Sequence, residues 1–115
     1  MNQNKEELPA ENQATLFGVF ADPTRLKLLR LLLQQNKSAA LCVNALAYRL
    51  GVTQSAISQH LKVLKSAGLV KGERRGYRTH YFIKQETLIQ AQRQISEALD
   101  FKEPNEKRTQ PGKTK

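Results

Sequence analysis

Apolar residues recur along the chain at two periods, and the change between them divides it. From Ala10 to Phe20, Ala14, Leu16, Phe17, Val19 and Phe20 fall at helical spacing. Asp22-Pro23 interrupts this run, and both residues suit the start of a new helix: Asp22 as an acceptor for free amides, Pro23 in the first turn. Over Pro23–Gln35, Leu26, Leu28, Leu29, Leu32 and Leu33 cover more than half a helix circumference, which predicts a central helix packed from several sides. Asn36-Lys37-Ser38 reads as a turn. Ala40–Leu50 predicts a third, shorter helix with Leu41, Val43, Leu46, Ala47 and Leu50 apolar, ended by Gly51. Thr53 offers a hydroxyl cap to a fourth helix, Gln54–Ala67, which Gly68 ends. Past Gly68 the period shortens. Leu69–Arg75 and Tyr77–Ile83 predict two strands around Gly76, the second rich in aromatic and β-branched residues. Gln85–Phe101 predicts a last helix with Leu88, Ala91, Ile95, Ala98 and Leu99 on one stripe, and Pro104 stops it. The expected organisation is a flexible lead-in over residues 1–9, one domain over 10–101, and a basic, disordered tail over 102–115.

Charge sharpens this picture. The 115 residues include 19 Lys+Arg against 10 Asp+Glu, a net +9. The excess is not spread evenly: residues 21–83 alone sum to +9, while the first and last helical segments are slightly acidic. Such a basic middle is the footprint of a face for a polyanion, because Lys and Arg displace the counterions of phosphates. No apolar run approaches the roughly 18 residues of a membrane span, and the polar start lacks the marks of a secretory signal. One cysteine, Cys42, excludes an internal disulfide and suits a reducing compartment. A cytoplasmic protein with no membrane association is therefore expected.

The third and fourth helices, joined by Gly51-Val52-Thr53, read as a helix-turn-helix. On the fourth, Ile57, Leu61 and Leu64 project within about 60° of one another. Ser55, Ser58, Gln59, Lys62 and Ser66 project opposite them, and Gln54 lies at the N-terminal end. That face contains no acid. Small hydroxyl and amide side chains can pair with base edges or phosphates while the helix sits deep in a major groove. Amphipathic surface helices commonly carry Glu and Lys outside, and this one has no Glu. The following hairpin, whose tip Lys71–Arg78 is expected as a flexible basic loop, adds a wing that can lie along a minor groove or backbone. The fold class is thus mainly α with a small β-hairpin: a winged helix-turn-helix of five helices and a two-stranded wing. Candidate DNA-binding residues are Thr53, Gln54, Ser55, Ser58, Gln59, Lys62, Arg74, Arg75, Tyr77 and Arg78.

The stretch Leu16–Ile83 resembles the ArsR-type (arsenical-resistance regulator) winged-helix repressors. The resemblance rests on LFGVFADPTRLKLLRLL (16–32), LCVNALAYRLGVTQSAISQHLKVLKSAGLV (41–70) and RRGYRTHYFI (74–83). It implies a homodimer that reads a palindromic double-stranded DNA operator, is released by an inducer, and pairs through its first and last helices. Leu16, Phe17, Phe20, Leu88, Ala91, Ile95 and Leu99 are the residues it places at that interface. By the residues alone, those two stripes fit a dimer face or packing within one chain equally well.

The same resemblance implies metal sensing, and here the residues depart from it. The family's site at the start of the helix before the turn is close to Glu-Leu-Cys-Val-Cys-Asp-Leu; this chain has Ala40-Leu41-Cys42-Val43-Asn44-Ala45-Leu46. A thiophilic ion needs two or three thiolates, and one is present. A second family site uses Asp and His ligands on the last helix, where residues 85–101 contain no histidine or cysteine. His60 is expected to be structural, His80 to serve the surface or DNA, and Cys42 to pack as a small half-buried residue. No metal, no cofactor and no identifiable inducer are therefore expected. An enzyme is not expected either, since no nucleophile–base pair, paired carboxylates or phosphate loop is visible. The alternative to a sequence-specific repressor is a winged-helix module for protein interaction or non-specific nucleic-acid binding.

Overall fold

The computed structural model describes residues 8–35 and 40–104. Five helices and one hairpin follow in the order α1 (Ala10–Phe20), α2 (Pro23–Gln34), α3 (Val43–Leu50), α4 (Gln54–Ser66), β1 (Val70–Arg75), β2 (Arg78–Ile83) and α5 (Gln85–Ala98). The expected turn at 36–38, nearly all of the lead-in and most of the tail lie outside the described residues.

Helix α2 is the centre. Its N-cap Asp22 accepts a hydrogen bond from the Arg25 amide at 3.0 Å, and Pro23 occupies the first turn. Leu28, Leu29 and Leu32 are buried against Leu46 and Ala47 of α3, Ile57, Leu61 and Leu64 of α4, and Leu69 and Val70 at the hairpin entry. Complete burial of a leucine contributes about 1.5–3 kcal/mol, so this shared layer is what holds the helix-turn-helix together. The strands pair antiparallel, from Val70 opposite Ile83 to Arg75 opposite Arg78. Helix α5 returns across α1, burying Ala91.

Three features differ from the sequence reading by more than one residue. Helix α3 starts at Val43 rather than Ala40. Residues 41 and 42 pair with β2 instead: the Tyr81 amide donates to the Leu41 carbonyl at 3.3 Å, and Cys42, extended, forms an isolated antiparallel bridge with His80. The basic tip is not a loop from Lys71 to Arg78; it is strand up to Arg75 and turns through two residues, Gly76 and Tyr77. Gly76 has φ +70°, the left-handed conformation that two-residue hairpin turns demand. Helix α5 ends at Ala98 instead of Phe101. Leu99 and Phe101 find no cover among the described residues, and Glu97 and Asp100 oppose the negative end of the helix dipole.

Candidate nucleic-acid interface

The tight turn places α4. Gly51 caps α3 in the left-handed region (φ +68°), and the Val52 amide reaches back to the Ala47 carbonyl at 3.1 Å. Thr53 then caps α4, its hydroxyl oxygen accepting from the Ala56 amide at 3.0 Å. That bond uses a lone pair and leaves the Thr53 O–H free to donate to a phosphate.

With Ile57, Leu61 and Leu64 buried, the opposite side of α4 faces solvent. Gln54, Ser55, Ser58, Gln59, Lys62 and Ser66 are all exposed, and no carboxylate stands among them. The arrangement expected from the projection is therefore present: one hydroxyl-and-amide face, one cation, and a helix N-terminus whose first amides lack intrahelical partners.

The wing presents charge on two sides. Strand alternation puts Lys71, Glu73, Arg75, Arg78, His80 and Phe82 on one face and Arg74, Thr79 and Tyr81 on the other. Glu73 lies 3.4 Å from Arg75 and 4.0 Å from Lys71. The Arg75 guanidinium also stands 5.1 Å from the Phe82 ring centre, and Arg78 stands 5.7 Å from that of Tyr77. Arg74 donates to the Gly76 carbonyl at 3.4 Å. Tyr77, at 85% exposure, stands out from the tip. All ten residues expected to meet DNA are thus exposed, six along Thr53–Lys62 and four at the end of the wing.

The residues expected at a subunit interface divide into three groups. Ala91 is 2% exposed within one chain; its place is the core, which corrects the expectation that it meets a partner. Leu16, Phe20 and Leu88 are half-buried against that core, and Phe17 is half-buried as well. Ile95 and Leu99 are exposed, at 40% and 73%. Between α1 and α5 is a polar contact the apolar pattern gave no sign of. Buried Gln13 donates through Nε2 to Oε1 of buried Gln94 at 3.0 Å, and the Leu8 amide donates to the same oxygen at 3.1 Å.

Cys42 is half-buried at the N-cap of α3. The Ala45 amide, followed by that of Asn44 and the nearby Arg78 charge, holds its thiol below the ordinary cysteine range against the opposing effect of burial. His80 sits at the root of the wing beside it, half-buried, with its Nδ1 shielded and unpartnered. Among the described residues no group of three or more His, Cys, Asp or Glu could hold a metal ion. No helix among them is long and apolar enough to cross a membrane. His60 packs on the flank of α4, with Nδ1 3.4 Å from Arg25 Nη1 and Nε2 3.9 Å from Asp22 Oδ2. Sequence reasoning assigned Asp22 its cap but missed Arg25. The signal available was an arginine three residues past a capping aspartate, which marks a first turn and says nothing of a side chain reaching backwards.

Residues 22–71 match the family model described as bacterial regulatory protein, arsR family. The chain is 35% identical over 88 residues to the arsenical resistance operon repressor of Bacillus subtilis, an alignment covering 76% of this chain and 80% of that one. The chain belongs to the arsR family. An uncharacterized HTH-type transcriptional regulator of Methanocaldococcus jannaschii is 40% identical over 73 residues, 64% of this chain and 79% of its own. Among solved structures, the homodimeric winged helix-turn-helix DNA-binding domain of a possible ArsR-family regulator from Mycobacterium bovis superposes with a TM-score of 0.60 at 29% identity. That match covers 85% of this chain and 88% of the other. As an arsR-family member the protein is a DNA-binding transcriptional regulator with a winged helix-turn-helix, and not an enzyme.

Proposed function

We propose that the protein is a homodimeric, sequence-specific repressor acting in the cytoplasm, which reads a palindromic operator with α4 and grips the flanking backbone with its wing. The observation that carries this reading is the exposed, acid-free face of α4. Gln54, Ser55, Ser58 and Gln59 face base edges or their neighbouring phosphates, and Thr53 donates its hydroxyl to the backbone. Lys62, Arg74, Arg75 and Arg78 neutralise phosphates, with Tyr77 at the wing tip beside them. Leu16, Phe17, Phe20, Leu88, Ile95 and Leu99 form the face between subunits, supported by the exposed ends of the α5 stripe. A two-fold axis there sets the two α4 helices about 34–36 Å apart, one turn of duplex, or a multiple of it.

The test uses a duplex enriched from random sequence by the wild-type protein, and a scrambled duplex of equal composition, at two salt concentrations. Gln59→Ala is expected to lower affinity for the enriched duplex about tenfold and leave the scrambled one unchanged, as loss of a base contact does. Arg74→Ala is expected to weaken both alike and reduce the salt slope by about 1. Equal losses on both duplexes for Gln59→Ala would exclude base reading by α4.

A further inference from the structure

We propose that Arg25 is a positioning residue for DNA recognition: its guanidinium clamps the reading helix α4 to the end of α1 by way of His60. Its stem is fixed first, because the Arg25 amide donates to the Asp22 carboxylate at 3.0 Å in the cap of α2. From that stem the side chain runs back over the preceding helix. Nε donates to the Val19 carbonyl at 2.7 Å and Nη2 to the Gly18 carbonyl at 3.4 Å, both in the last turn of α1. The Gly18 carbonyl is shared with the Ala21 amide, which donates to it at 3.1 Å, while the Val19 carbonyl faces Pro23 four residues on, which has no N–H to offer it. Nη1 faces Nδ1 of His60 at 3.4 Å. A guanidinium has donors only, so Nδ1 is the acceptor and the imidazole proton sits on Nε2. Nε2 points toward the Asp22 carboxylate at 3.9 Å, which closes the ring of three side chains.

One planar group therefore satisfies acceptors on two helices while rooted in a third. His60 is half-buried on the flank of α4, between its core stripe and its exposed face, so it sets the roll of that helix without reaching the duplex. The roll matters because base contacts are lost over about an ångström of misplacement, whereas phosphate contacts made by long flexible cations are not. Lysine keeps the charge but presents a point donor that cannot span Val19, Gly18 and His60 together. The clamp also ends on α1, the helix that carries Leu16, Phe17 and Phe20 of the proposed subunit face. Pairing of subunits and reading of DNA then share one rigid joint.

The proposal rests on α4 being the reading helix, and the test separates the two. Affinities for the enriched and scrambled duplexes are measured for Arg25→Lys, His60→Leu, His60→Asn and Gln59→Ala, with circular dichroism at the assay temperature. Arg25→Lys and His60→Leu are expected to cut the enriched-to-scrambled ratio about tenfold, the equivalent of one well-placed base contact. The salt slope is expected to stay at the wild-type value. His60→Asn, whose Oδ1 can stand where Nδ1 accepts, is expected to keep the ratio. If Arg25→Lys fails to fold, the two His60 variants decide. A wild-type ratio in folded Arg25→Lys and His60→Leu, with Gln59→Ala still altered, overturns the clamp and spares the reading helix. A shallower salt slope in Arg25→Lys overturns it too, by making Arg25 a phosphate contact. An unaltered ratio in Gln59→Ala removes the reading helix itself.

Discussion

At the scale of single residues, the chemistry with the least precedent in the amino-acid pattern is at Cys42. The thiol lies where α3 begins, and the amides of Ala45 and Asn44 favour its thiolate, as does the charge of Arg78. The native thiol is therefore expected to alkylate with a pH midpoint below that of the unfolded chain; iodoacetamide rates against pH, with and without denaturant, measure it. The sign for stability follows. A depressed acid binds fewer protons when folded, so its contribution is present above the unfolded thiol's midpoint and is lost as pH falls through the folded one. None of this was legible in the sequence, which placed Cys42 inside a helix starting at Ala40. The conformation of residues 41 and 42 comes from pairing with Tyr81 and His80, some 40 positions away, and local pattern carries no information on such a partner. The same holds for Gln13 and Gln94: each reads as a surface amide until the other is found opposite it. By contrast, the α4 face was legible in full, because it needs only the helical period and the identity of the buried stripe.

Among the elements, the turn between α3 and α4 and the wing behave differently under substitution. Gly51 has open space where a Cβ would stand, yet its φ of +68° strains any L side chain. Gly51→Ala is expected to cost about 1–2 kcal/mol of stability, read as a lowered urea midpoint with the slope unchanged. In the wing, Glu73 stands as an acid among Lys71, Arg74, Arg75 and Arg78. Exposed pairs of this kind contribute little to stability, about 0–1 kcal/mol, so its effect belongs to binding. Glu73→Gln is expected to tighten enriched and scrambled duplexes alike, by about three- to tenfold at low salt, and to steepen the salt slope, because the carboxylate that competes with phosphates for Lys71 and Arg75 is removed. Unchanged binding would place the Lys71–Arg75 face away from the duplex and leave Arg74 as the wing's contact. The sequence supplied the basic hairpin but not its faces: those depend on register, which the two-residue turn at Gly76-Tyr77 fixes, the second strand starting one residue later than expected.

For the whole molecule, the decisive question is what covers α5. One chain buries Ala91 and half-buries Leu88, but leaves Ile95 and Leu99 in water. The end of α5 fell short of the expected Phe101 for the same reason: an apolar stripe with no neighbour among the described residues does not hold a final turn. Sequence alone could not choose between a stripe for the core and a stripe for a partner, since both have the same period. Ile95→Glu is expected to leave the fold intact by circular dichroism and convert the dimer to monomer in sedimentation. Affinity for the enriched duplex is expected to fall by at least a hundredfold, because the second half-site is then no longer tethered. A monomeric wild-type protein at the concentrations where it binds DNA would overturn the proposed subunit face.

The pairing of residues 41 and 42 with β2 has one more outcome. A two-stranded ribbon leaves both margins open, and open margins recruit strands from other copies. Here the Tyr81 amide is taken by Leu41, its carbonyl accepts from the Gln35 side chain at 2.6 Å, and the Leu41 amide donates to the same side chain at 2.9 Å. The outer margin of β2 is thereby closed at its base, and the margin of β1 carries Lys71, Arg74 and Arg75, whose charges repel an identical copy. The ribbon is shielded from self-templated aggregation while keeping the part that a duplex would touch.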